Sequence, residues 1–98
     1  MKHITFEWDK RKEILNCKKH SVHFSEASTA FYDENAREYF DPEHSEDEDR
    51  FLLLGMSQNL RVLVISYCYR ESEKIIRIIS TRKADKIETM DYFAGGRK

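Results

Sequence analysis

The stretch from Lys74 to Glu88, KIIRIISTRKADKIE, constrains this chain more than any other. Lys74 to Thr81 is dense in β-branched residues, which suit a pleated strand. From Arg82 the spacing becomes helical, with Ala84, Ile87, Met90 and Ala94 close to one face. The stretch therefore predicts a strand that runs straight into a helix. It carries Arg77 in the strand's middle and Arg82 at its exit. With period two they point to opposite sides of a regular strand, and a bend or bulge at Ser80-Thr81 brings both to one side. An arginine inside so apolar a strand needs a carboxylate, a second subunit or a phosphate beside it.

A chain of 98 residues supports one core, so residues 1–98 are expected to form a single domain. No apolar run reaches the roughly eighteen residues of a membrane span. The opening MKHITFEWDK lacks a signal peptide's apolar segment, so a cytoplasmic protein with free Cys17 and Cys68 thiols is expected. The net charge of −1 hides a partition. Tyr32 to Asp49 holds nine acidic residues and one basic, −8, and the rest holds sixteen basic and nine acidic, +7. A basic remainder can bind a polyanion. The acidic segment covers that surface, meets a basic partner, or is a solvated loop.

Earlier in the chain, His3 to Glu7 alternates weakly and predicts a short strand. Asp9 caps a surface helix over Lys10 to about Lys19, whose apolar stripe is Ile14, Leu15 and Cys17. Ser25 caps a second short helix. Arg37 to Phe40 predicts an edge strand, and Ser45 with Glu48 matches a capping box for one helical turn. Arg50 to Met56 reads as a strand broken by Gly55, followed by a turn at Ser57 to Asn59 and the longest strand, Leu60 to Tyr69. On that strand Val62, Val64, Ser66 and Cys68 alternate with Leu63, Ile65, Tyr67 and Tyr69. Three successive strands with short connections predict an antiparallel meander, and Gly95-Gly96 ends the last helix. The fold class is α+β: N-terminal helices and a C-terminal helix on a mostly antiparallel sheet of three to five strands.

Four sets of residues bear on chemistry. Arg50, Arg61, Arg77, Arg82 and Lys83 form a cationic set that either binds a phosphate or pairs with surface carboxylates. His44 with Glu48, and with Asp41 and Glu46 nearby, offers proton transfer for metal-free RNA cleavage, or is simply a histidine in an acidic loop. Cys17, His20, His23 and His44 do not match a structural zinc spacing, so no metal and no cofactor are expected. Trp8, Tyr67, Tyr69, Tyr92 and Phe93 read as core or interface, save for one of Tyr67 or Tyr69 that stacks a base.

The stretches FEWDKRKEILNCKKHSVHFSEA, FYDE, DPEHSEDEDR and IIRIISTRKADKIE together resemble the BrnT toxins over nearly the whole chain. The resemblance implies a RelE-like fold and a bacterial type II toxin that cleaves RNA and arrests growth. It also implies a ribbon-helix-helix antitoxin, BrnA, in a heterotetramer with a toxin dimer that reaches operator DNA only through the antitoxin. His44, Glu48, Arg50, Arg77 and Arg82 match its catalytic signatures. Lys19 and His20 match the helix-end KH and are expected, with Arg61 and Lys83, to contact RNA. Ser21 stands where that family usually has glycine. Beside an endoribonuclease stands a second reading, a non-catalytic module whose arginines and acidic loop serve only protein contacts.

Overall fold

The computed structural model describes residues 3–95. Five strands form one sheet: β1 (Thr5–Glu7), β2 (Arg37–Phe40), β3 (Arg50–Met56), β4 (Val62–Arg70) and β5 (Ile75–Lys83), in the order β1-β5-β4-β3-β2. The meander β3-β4-β5 is antiparallel as the sequence predicts, and β2 adds antiparallel to β3. β1 departs from the pattern and pairs parallel to β5, so the sheet is mixed. The long connection through the first helices carries the chain across to the opposite edge, as a parallel neighbour requires.

The two faces of β4 separate the layers. Leu63, Ile65 and Tyr67 face α1 (Lys10–His20) and α2 (Phe24–Thr29), and build the main core with Val22, Phe24, Ala27 and Ile78. Val64 faces the other way and packs with Leu54 and Tyr92 beneath α3 (Lys86–Phe93). α3 covers only part of its side, because eight residues span about 12 Å.

Several local expectations change. Asp9 caps α1 as predicted, accepting from the Arg11 and Lys12 amides. The inward residue of α1 is not apolar: Ile14 and Leu15 are exposed, and buried Asn16 docks the helix. Its amide donates to Val22 O at 3.1 Å and Thr81 O at 2.9 Å, and accepts from Thr81 N at 3.0 Å. α2 starts at Phe24, one residue before the predicted Ser25 cap, with the Glu13 carboxylate accepting the Phe24 N–H at 3.0 Å. β3 runs through Gly55 unbroken. A side chain there would meet Ala36 Cβ at 3.0 Å and Ala30 O at 3.1 Å, so the glycine serves close approach.

Ser45 and Glu48 do not form a capping box. The helical turn lies earlier, at Pro42–His44, where proline suits the first position. β5 continues to Lys83, because Arg82 and Lys83 still pair with Val64 and Leu63. α3 begins only after Asp85, which forms a reciprocal capping box with Glu88. The predicted stripe is then displaced: Ile87 and Met90 face solvent and Tyr92 faces the sheet. Gly95, at φ 72°, follows the helix end, and Gly96 lies outside the described residues.

Candidate active site

The site's foundation is one extra residue in β5. Ser80 pairs with Ser66 but Ile78 pairs with Tyr67, so Ile79 is a bulge. Its position differs by one residue from the anticipated Ser80-Thr81, and its effect is the one anticipated. Arg77 stands opposite Cys68 and Arg82 opposite Val64, which share a face of β4. Arg50 also stands opposite Cys68, from the other side. A row Glu7–Arg77–Cys68–Arg50 thus crosses four strands, on the side that α3 only partly covers.

The three arginines differ in their partners. Arg77 donates to Glu7 at 2.8 Å, so of the three partners open to an arginine in this strand it has a carboxylate. Arg82 forks onto Glu88 at 2.7 and 2.8 Å, and that guanidinium holds the Glu88 carboxyl below its ordinary range. Arg50 makes no ion pair among the described residues, and its buried Nε lacks a partner.

The loop between β2 and β3 closes over Arg50. Asp41 N donates to Arg50 O at 2.9 Å, Ser45 Oγ donates to Asp41 O at 2.6 Å, and Arg50 N donates to Ser45 Oγ at 2.9 Å. The brace presents His44, whose Nδ1 lies 2.8 Å from Asp41 Oδ2. A proton donated there leaves Nε2 as an acceptor. His44, Glu48 and Arg50 line a cavity of about 330 Å³ with Glu43, Glu46 and Asp47. His44 and Arg50 also line a second one, of about 360 Å³, floored by Ser66 and Ser80. Glu48 lies 3.5 Å from Arg70. Burial pushes the Cys68 thiol up, so it is not a nucleophile at neutral pH.

A family model described as the ribonuclease toxin BrnT of type II toxin–antitoxin systems matches residues 8–88. The chain belongs to the BrnT family. A crystal structure of the Brucella abortus ribonuclease toxin BrnT shares the fold, with a TM-score of 0.64 and 21% identity over 86% of this chain and 100% of that one. No curated protein matches.

In this BrnT chain the remaining predicted residues lie apart from the cavities. Lys19 and His20 end α1 on the helix-covered side of the sheet. Arg61 is there too, bound to the Glu26 carboxylate and donating to Ser21 O at 3.1 Å. Arg61 holds the Glu26 carboxyl low, and Ser57 Oγ donates to the same carboxylate at 2.6 Å. Lys83 pairs with core-facing Leu63, on the side opposite Arg77. The four expected RNA contacts therefore do not join His44 and Arg50.

The zinc set is not gathered either: Cys17 and His23 touch at 3.4 Å, far from any convergence with His44. Among the described residues the one triad of potential ligands is Asp41, Glu43 and His44, within 4.8 Å of one another. Tyr67 and Tyr69 both donate to Glu38, Tyr69 at 2.6 Å. Burial pushes the Tyr69 hydroxyl up to about 12. They wall a cavity of about 590 Å³ on the helix side.

Sequence reasoning did not single out Glu7, Glu88, Ser66 or Ser80 for the site. For Glu88 the signal was present, as a capping-box acid three residues after Asp85.

Proposed function

We propose that this toxin is a metal-independent endoribonuclease that works on the arginine-bearing face of the sheet. The observation that carries the reading is that His44 and unpaired Arg50 share a cavity, with Arg77 in register across Cys68. In this chemistry the 2′-oxygen of RNA attacks the adjacent phosphorus while a base takes its proton. The bond to the 5′-oxygen breaks, and that oxygen receives a proton. The products are a cyclic phosphate and a 5′-hydroxyl. His44, steadied by Asp41, takes the first proton on Nε2, and Glu48 is the second proton-handling group. Arg50 offsets charge developing on the phosphorane, and Arg77 and Arg82 hold the strand once RNA phosphates displace Glu7 and Glu88. Lys19, His20, Arg61 and Lys83 touch only RNA that wraps past the sheet's edge.

The partner follows from charge. The −8 segment includes the free edge of β2 and the loop that carries His44, so a basic segment laid there covers the site. Such a segment supports a BrnA-like ribbon-helix-helix antitoxin, in a heterotetramer with a toxin dimer that meets operator DNA through the antitoxin. The helix–sheet–helix layering within one unit supports a RelE-like single domain.

The carboxylates parked on Arg77 and Arg82 favour the second reading, a module for protein contacts alone. RNA cleavage in EDTA decides between them. Wild-type protein freed of its partner should cut, and His44→Gln and Arg50→Ala should each slow cutting by about 10²-fold or more without lowering the melting temperature. A folded wild type that leaves RNA intact supports the contact module. Activity lost in EDTA and restored by a divalent ion moves the chemistry to Asp41, Glu43 and His44.

A further inference from the structure

Ser66 and Ser80 face each other across β4 and β5, in the middle of the arginine-bearing face, immediately beside the bulge. Both line the cavity that His44 and Arg50 share. Three serines spend their hydroxyls inside the fold: Ser28 on Ser25 O, Ser45 on Asp41 O, Ser57 on Glu26. Ser66 and Ser80 bond no other described side chain or carbonyl. Ser80 is exposed and Ser66 half-buried, so both hydroxyls are open to a ligand that enters the cavity. Their small size also keeps the cavity open, because a pair of large side chains such as leucine or phenylalanine on adjacent strands would fill it.

We propose that Ser66 and Ser80 form a phosphate-binding subsite with Arg50, where their hydroxyls donate to non-bridging oxygens of the scissile phosphodiester. The chemistry is complementary. A phosphodiester offers only acceptors, and the cavity offers two freely rotating O–H donors beside a guanidinium whose buried Nε–H lacks an acceptor. The bulge sets the geometry, because it places Ser80 opposite Ser66 while Arg77 still faces the same way. RNA then binds across the row Arg77–Cys68–Arg50, with its phosphate over the serines and its 2′-hydroxyl toward His44. The inference rests on the reading of this face as the RNA-cleaving site and names the positioning residues within it.

Inorganic phosphate titrated into the ¹⁵N-labelled protein tests the subsite without RNA. The amides of Ser66, Ile79 and Ser80 should shift along one binding curve. The double variant Ser66→Ala/Ser80→Ala should bind phosphate at least about tenfold more weakly, and Ser66→Thr/Ser80→Thr, which keeps both hydroxyls, should bind within about threefold of wild type. Shifts confined to Arg77 and Arg82, or a double alanine variant that binds as wild type does, overturn the proposal. RNA cleavage supplies the second arm. The double alanine variant should raise KM and lower kcat, with threonine restoring both, and unchanged constants overturn the subsite. If phosphate binds as stated but the wild type cuts no RNA, the ribonuclease reading falls and the serine subsite stands.

Discussion

Arg50, Arg77 and Arg82 share a face, and each meets a different local balance. Arg77 and its partner Glu7 are 30% and 41% exposed, so water screens the pair, and such pairs contribute about 0–1 kcal/mol. Arg77→Ala is therefore expected to melt within a few degrees of wild type and to abolish growth arrest on induction. Arg77→Lys should restore little, because an ammonium lacks the bidentate fork. A loss of about 3–5 kcal/mol in the melt would mark Arg77 as half of a buried structural pair instead. Glu26 is the opposite case, 8% exposed and tied to Arg61 and Ser57. Its carboxyl titrates below its ordinary 4.5 because Arg61 favours the charged form. Between that depressed value and 4.5 the unfolded chain binds the proton more readily, so stability is complete above about pH 4.5 and falls as pH drops through the window. Melts from pH 6 to pH 3 should show this decline, and Glu26→Gln should flatten it from a lower starting point. The need for a partner beside Arg77 was legible in the sequence, with a carboxylate as one of three kinds. Its identity was not, because Glu7 lies 70 residues away in a strand of three residues.

At the scale of elements, the sequence disclosed the strands wherever alternation was clean, as along Val62 to Arg70, and disclosed α1 through its Asp9 cap. It misplaced the start of α3, because Arg82 and Lys83 fit a strand's alternation and a helix's spacing equally well. The capping box at Asp85 and Glu88 decides between them. It also missed the docking of α1 through Asn16, since a polar residue that completes a strand's hydrogen bonding leaves no apolar signature. The turn after α1 contains a position that can be improved. Ser21 sits at φ 60°, in the left-handed region that favours glycine, and its amide closes the helix on Cys17 O at 2.8 Å. Ser21→Gly should stabilise by roughly 0.5–1 kcal/mol by relieving the Cβ contact, less what the freer unfolded chain takes back. Thermal denaturation should show a rise of a few degrees. No rise would mean that the Ser21 backbone is held there without strain, by Arg61 on its carbonyl.

For the whole molecule, the charge partition visible in the sequence becomes spatial: the acidic segment forms one sheet edge and the rim of the cavity, beside the arginine row. What sequence periodicity could not place is the single residue that makes the row possible. The bulge at Ile79 turns the site into a matter of counting. Residues 75 to 78 are in phase with the site because one residue in β5 has no partner across β4, and their phase is blind to which side chain that residue carries. Drawing Ile79 into the ladder reverses the phase of everything before it. Arg77 would be driven into the aromatic layer around Tyr67, and Ile76 and Ile78 would emerge into water. Removing Ile79 does the opposite: Ser80 stays against Ser66, Ile78 against Tyr67 and Arg77 against Cys68, now in a regular strand. The variant lacking Ile79 should thus stay soluble and melt cooperatively. Ile79→Val should stay folded and cut RNA at close to the wild-type rate. A deletion variant without a cooperative melt would show that the bend at the bulge, and not only the alternation it corrects, holds the sheet together. The site is set by parity: an odd separation of Arg77 from Arg82 demands a bulge, and an even one demands none.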